Sequence, residues 1–345
     1  MTNLLDDVRA VATEEGFVLC GVAPAVDSAG YTDLVKWIDS GYCAEMDYFA
    51  NRLDAYQHPS GVLHGAKSVI ALAYPYPANA PQGINANSGR VARYTWIGED
   101  YHDVIHPKLK RLCRMITQRM ITQQQPDANA RGVVDTAPLM EREIAQLAGL
   151  GWRGKNTLLL NKQLGSYFFL ACVLVDVELP ASTPQQTSHC GTCTACLDAC
   201  PTDAFPRAGV LDASRCISYL TIEHRDEIPI SLRDGIGDWV FGCDICQEVC
   251  PWNTKPSRLA VAAADCSTME LVELFAMDED AFRARFRKTP LWRTRRRGLL
   301  RNAAIVLGNI GDANAVDALR VGVGDAEPIV SEACRWAIEK IRKRT

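Results

Sequence analysis

Eight of the 14 cysteines in this chain lie between positions 190 and 250, at spacings that gather thiolates around metal. Cys190, Cys193, Cys196 and Cys200 run C-x2-C-x2-C-x3-C and are followed by Pro201. Cys243, Cys246 and Cys250 run C-x2-C-x3-C before Pro251, with Cys216 alone between the two runs. An iron–sulfur cubane needs four thiolates pointing inward. A looped C-x2-C-x2-C supplies three before the chain turns away, so the fourth comes from a distant cysteine.

The double run has the spacing of a two-cluster bacterial ferredoxin, in which the cysteine before the proline ligates the other cluster. The expected sets are Cys190, Cys193, Cys196 and Cys250 for one 4Fe-4S cluster, and Cys200, Cys216, Cys243 and Cys246 for the second. Zinc is the rival, but zinc sites usually come as two separated C-x2-C pairs without a third cysteine and an x3-C-P tail. Disulfide frameworks belong to oxidising compartments. The other six, Cys20, Cys43, Cys113, Cys172, Cys266 and Cys334, sit among apolar neighbours and read as buried free thiols.

Clusters move single electrons, so something must receive them. Asp135 ends an apolar strand in V-V-D-T-A-P-L-M-E-R, where a partly buried carboxyl could hold a proton near neutrality and deliver it during a reduction. Capping is the commoner role for such a residue, and Asp135 or Thr136 would suit a helix beginning near Pro138. The glycine-rich stretch 149–157 carries Arg153 and Lys155 and could cradle phosphate, although it has neither a Walker loop nor a G-x-G-x-x-G fingerprint. Arg93, Tyr94, Asp100, Tyr101 and His102 form a polar-aromatic group whose default reading is a solvated loop. Arg283, Arg285, Arg287, Lys288, Arg293, Arg295, Arg296, Arg297 and Arg301 crowd one segment around Phe282, Phe286 and Trp292. Guanidinium groups so placed pair with phosphate, or simply solvate a helix.

These groups need a scaffold, and 345 residues with 48% hydrophobic content suffice for two or three domains. Residues 1–180 read as mixed α/β: helical spacing at Leu4, Leu5, Val8 and Val11, a buried strand over 68–76, a helix over 100–125 with Pro107 near its first turn, a strand entering Asp135, a helix over 139–148 and a strand over 167–177. A polar linker at 180–189 leads into a cluster module, 181–256. The remainder, 257–345, is helical, and the apolar pattern of Ala303, Val306, Leu307 and Ile310 recurs thirty residues later, as in a short HEAT-type repeat. The net charge is −4, the N-terminus lacks a secretion signal, and no apolar run has membrane-spanning length, so the cytoplasm is expected.

Taken together, V-D-T-A-P-L-M-E-R, A-G-L-G-W-R-G-K-N-T-L-L-L-N, G-S-Y-F-F-L and the cysteine runs within R-C-I-S-Y-L-T-I-E and F-G-C-D-I-C-Q-E-V-C-P-W-N resemble the epoxyqueuosine reductases, relatives of the reductive dehalogenases. That resemblance covers the chain from its first helix into its tail. It implies a cobalamin-binding domain of nitroreductase-like type, a ferredoxin-like module with two 4Fe-4S clusters and a HEAT-like tail. It implies reduction of epoxyqueuosine to queuosine at the wobble position of tRNA, at cobalt loaded as cob(II)alamin and reduced through the clusters. Asp135 would be the proton donor, and Arg52, Asp135, Leu159, Leu170, Ser218 and Asp244 would contact the corrinoid. Arg295, Arg296 and Arg297 would bind the tRNA. A low-potential external donor would supply electrons to a soluble, monomeric enzyme, with the second cluster nearer cobalt.

Overall fold

In the computed structural model, residues 4–78, 86–122, 128–254 and 267–344 are described. The helices in chain order are α1 (Leu4–Glu14), α2 (Tyr31–Asp39), α3 (Tyr48–Asn51), α4 (Tyr101–Thr122), α5 (Glu141–Leu147), α6 (Ala195–Asp198) and α7 (Ile217–Ile222). They continue as α8 (Ile230–Ile236), α9 (Ile245–Glu248), α10 (Glu279–Phe286), α11 (Arg295–Ile310), α12 (Val316–Val323) and α13 (Pro328–Arg342). The strands are β1 (Leu19–Pro24), β2 (Ser68–Pro75), β3 (Ser88–Val91), β4 (Ala130–Val133), β5 (Trp152–Arg153), β6 (Leu159–Leu160), β7 (Phe168–Val175), β8 (Trp239–Phe241) and β9 (Thr268–Glu270).

The two continuous apolar runs, β2 and β7, occupy the centre of an antiparallel sheet ordered β1-β2-β7-β4. Both faces are covered, which is why neither strand alternates with polar residues. Ile70, Leu72, Ala171 and Val173 face α1 and α4. On the opposite face Val69, Ala71, Cys172 and Leu174 meet Ile144 and Ala145 of α5.

A second sheet, β8-β3-β9, takes one strand from each third of the chain. Here β3 pairs parallel with β8 and antiparallel with β9. One apolar core runs through Val91, Trp96, Leu220, Phe241, Leu271, Leu299 and Ala337, so the segments 1–180, 181–256 and 257–345 interlock. In the tail, α11 is buried on nearly every side, by α13 and by β8, α7 and α8. Gly308 lets α13 approach closely, since a Cβ there would meet Trp336 and Ala337 at 2.8–3.0 Å.

Pro107 is interior to α4, not in its first turn. The helix bond it forfeits would go to the Asp103 carbonyl, and both residues are exposed, so water satisfies that group. Cys172 and Cys334 are buried as expected; Cys20, Cys43 and Cys113 are only partly covered. Cys266 lies outside the described residues, as does the end of the cluster module at Pro256.

Candidate active site and cluster cages

Asp135 lies two residues past β4. The register that opposes Val133 to Cys172, carried two residues further, brings it level with Leu170 of β7. Its backbone sits at φ 59, a left-handed conformation that Asp tolerates better than most residues, and its side chain is 57% exposed. Asp135 caps nothing: the residue preceding α5 is Met140, with no side-chain cap.

The Asp135 loop is held by groups from three other places. The Tyr101 hydroxyl donates to Asp135 Oδ2, His102 Nε2 and an Arg293 nitrogen each lie 4.0 Å from that oxygen, and Glu141 Oε1 accepts from the Asp135 N–H at 3.1 Å. Burial, then the Asp135 charge, keeps the Tyr101 phenol well above its ordinary value, so it stays a donor. Burial likewise pushes Glu141 up to about 8, with Asp135 adding and Arg142 opposing. Tyr101 stacks on Phe169 at 4.5 Å, which fixes its ring. His102 Nδ1 sits 2.8 Å from Asp100 Oδ1 and 2.9 Å from Arg293; one tautomer satisfies only one of these. The 93–102 segment is therefore a packed wall and not a solvated loop, with Arg93, Thr95, Trp96 and Tyr101 buried.

Beside this wall the cysteines gather, and Cys250 of the second run stands with three of the first. Cys190, Cys193, Cys196 and Cys250 line one cavity of about 270 Å³. Among the described residues no three His, Cys, Asp or Glu side chains converge on a single-ion site, whereas thiols spread around a cavity suit a multi-iron cluster. Burial, then Cys216 and Cys246, raises the Cys243 thiol, and burial, then Cys200, raises that of Cys216. A cationic iron–sulfur core bound among such thiols would displace their protons.

The 149–157 stretch is the buttress of these cages rather than a phosphate cradle. Lys155 Nζ donates to the carbonyls of Gly191 and Cys193 at 2.8 Å each, and Asn156 donates to the Cys246 carbonyl at 3.3 Å. Lys155→Met should loosen the first loop and make its cluster more easily lost to a chelator, read as the rate of bleaching against the wild type.

The remaining corrinoid candidates separate by access. Arg52 is exposed and shares a cleft of about 280 Å³ with Thr136, His106 and Arg131. Leu170 and Ser218 are partly exposed. Leu159 is buried, and Asp244 is 2% exposed with its carboxylate accepting from Arg93 N at 2.7 Å and Gln247 at 3.0 Å. Asp244 thus supports the wall from behind. Phe241, two residues before Cys243, packs against Tyr94, and Tyr94 against Tyr101, which joins the second cage to the Asp135 mouth.

The basic segment divides. Arg283, Arg285, Arg287, Lys288 and Arg295 are exposed, because Phe282 and Phe286 take the inward face of α10. Arg296 is bound to the Met277 carbonyl and to Asp325 at 2.6 Å, and Arg301 is buried, donating to Leu220, His224 and Asp226 carbonyls. Neither is free to meet a ligand. Arg297 is half-exposed near Glu327, and Arg293 points into the site, a role that its place in a run of cations hid.

A carboxylic acid at a sheet edge, joined through aromatic rings to the second of two thiol clusters, defines an iron–sulfur oxidoreductase. Residues 189–253 match the model of the 4Fe-4S double cluster binding domain, and residues 57–136 that of epoxyqueuosine reductase QueG, DUF1730. The epoxyqueuosine reductase of Cyclobacterium marinum is 40% identical over 302 residues, covering 87% of this chain and 95% of its own. A crystal structure of epoxyqueuosine reductase with a tRNA-Tyr epoxyqueuosine-modified stem loop superposes with a TM-score of 0.88 at 29% identity, covering 98% of this chain and 91% of that one. The Bacillus subtilis enzyme, solved with its catalytic aspartate loop swung out of the active site, gives 0.87 at 28% identity over the same shares. The chain belongs to the epoxyqueuosine reductase family.

Proposed function

We propose that this protein reduces epoxyqueuosine to queuosine in the anticodon of tRNA, with Asp135 as the proton donor. The observation that carries this reading is the Asp135 mouth, where Tyr101, His102 and Arg293 converge on one carboxylate oxygen. Opening an epoxide to an alkene takes two electrons and two protons and releases the oxygen as water. Asp135 would protonate that oxygen as its carbon bond breaks, and the Tyr101 hydroxyl would stabilise the carboxylate left behind.

Arg52, Leu170 and Ser218, with Asp135, are the accessible residues to hold cobalamin, and Leu159 and Asp244 back them. The cleft beside Arg52, lined by His106, Arg131 and Thr136, offers polar partners to the amide edge of such a macrocycle. Bound there, cobalamin would supply a strongly reducing metal centre for the epoxide. The ring path from Tyr101 to Phe241 supports the second cage as the nearer electron source, with Cys193, exposed in the first, toward an external donor.

The RNA is read as lying on the exposed cations of α10 and the start of α11, with α11 to α13 as a short HEAT-like stack and the first sheet as a nitroreductase-like scaffold. Arg295 and Arg297 are the residues to test, because Arg296→Ala would break the Asp325 pair. The double change Arg295→Ala, Arg297→Ala should weaken stem-loop binding and lower the salt slope by about 1 per lost phosphate contact. An unchanged slope would return these residues to solvation. No helix among the described residues is long and apolar enough to cross a membrane, and a monomer in the cytoplasm is the assembly proposed. The decisive experiment is anaerobic reconstitution with iron, sulfide and cobalamin, then nucleoside analysis of tRNA carrying epoxyqueuosine. Absence of queuosine with a competent reductant would overturn the reading.

A further inference from the structure

Arg293 belongs to the tail by sequence and to the catalytic wall by position. It lies in a tight turn, Pro290–Thr294, immediately before the arginine-rich start of α11. Its terminal nitrogen donates to the Tyr101 hydroxyl oxygen at 2.9 Å and lies 2.9 Å from His102 Nδ1, while its guanidinium sits 5.0 Å from the centre of the Tyr101 ring. The turn is itself pinned: Arg225 donates to the Arg293 carbonyl at 2.8 Å, and the Thr294 hydroxyl donates to the Thr221 carbonyl at 3.2 Å.

A phenol has one proton to give. When Arg293 donates to the Tyr101 oxygen, the Tyr101 proton is free to point at Asp135 Oδ2, the acceptor it has. The guanidinium has partners for its charge: Asp135 Oδ2 lies 4.0 Å away, and the Tyr101 oxygen accepts from it at 2.9 Å. The Asp135 loop needs such a hold, since its residue is at positive φ and its side chain is largely open to solvent.

We propose that Arg293 is a positioning residue for the proton donor: acting through Tyr101, it holds the Asp135 carboxyl inward and so places the tail in the active site. Two consequences follow. The tail does more than bind RNA, and any RNA contact that shifts the turn at 290–294 shifts the proton donor with it. The proposal rests on the reading of Asp135 as proton donor.

The test is single-turnover conversion of an epoxyqueuosine-containing stem loop by reconstituted wild type, Arg293→Ala, Arg293→Lys and Tyr101→Phe, with stem-loop affinity measured on each. Arg293→Ala should lower the rate about 100-fold, the scale of a misplaced catalytic group, and leave affinity within about 2-fold. Arg293→Lys should fall between, because an ammonium lacks the fork that reaches Tyr101 and His102 together. Millimolar guanidinium should restore part of the Arg293→Ala rate and none of the Tyr101→Phe rate. The double variant should be little worse than either single one, as expected for residues acting as a unit. A rate for Arg293→Ala within about 3-fold of wild type, or a loss that appears only in affinity, would overturn the positioning role. If Arg293→Ala melts early, Arg293→Lys and Tyr101→Phe decide, and equality of either with wild type overturns it. Failure of the wild type to make queuosine would instead count against the functional reading.

Discussion

Asp135→Asn is expected to lower epoxide reduction by about 1,000-fold, within the range general acids contribute, while both clusters and the RNA affinity stay as they are. The change is nearly isosteric. An amide oxygen still accepts from Tyr101, and the loop keeps its N–H bond to Glu141 Oε1. Asn also tolerates the left-handed φ of 59 at this position, so the backbone has no reason to move. What disappears is the transferable proton, while an oxygen can still face Arg293 and His102, which lie 4.0 Å from Oδ2 in the wild type. Asp135→Ala would mix the chemical loss with release of the loop, which makes Asn the cleaner variant. The check is single-turnover product formation alongside a melting curve and the iron–sulfur absorption band. A rate within tenfold of wild type, with folding intact, would remove Asp135 from the proton path.

The cages were legible because their constraint is local. Three thiols at C-x2-C-x2-C can meet one cluster whatever the rest of the chain does, and the cavity that Cys250 shares with Cys190, Cys193 and Cys196 is the placement that crossed ligation needs. Asp135 stood out only through the resemblance: on its own residues capping was the commoner role, and the structure places its carboxylate beside Tyr101, His102 and Arg293 instead. Its partners were not legible. Tyr101 is 34 residues away and Arg293, through Tyr101, a further 192, and only the closing of α4 and the tail onto the sheet joins them.

The basic segment shows where composition misleads. The nine cations between Arg283 and Arg301 read as one surface, yet the folding of α10 and α11 sorts them. Phe282 and Phe286 at i and i+4 turn their arginine neighbours outward, a pattern the sequence did contain. In α11 that logic fails, because the helix is buried on nearly every side and offers no polar face; Arg301 survives there, 1% exposed, by donating to three backbone carbonyls and to Asn302 Oδ1. Burial keeps that guanidinium charge less secure, pulling Arg301 down to about 10. The segmentation into 1–180, 181–256 and 257–345 has the same weakness: the chain changes character at those points, but β3, β8 and β9 share one sheet across them.

That interlocking gives the crossed cages their strongest test, through iron content. Cys250→Ala should take the iron from about eight to about four atoms per chain, although Cys250 stands at the end of the second cysteine run. It is 8% exposed, lines the first cavity and packs with Trp152 and Leu160, so its thiol has no route to the other cage. A single variant cannot say which cluster was lost; pairs can. With crossed ligation, Cys250→Ala combined with Cys196→Ala damages one cage twice and keeps about four irons, whereas Cys250→Ala combined with Cys246→Ala damages both and keeps almost none. Uncrossed ligation reverses the two results. Alanine is used because a serine oxygen can replace a thiolate and blur the count. Multiple-turnover reduction should fail in both double variants, since each breaks the path between an external donor and the Asp135 mouth. Sustained turnover by the pair that keeps only the second cluster would mean that electrons enter there directly, through the ring path that begins at Phe241.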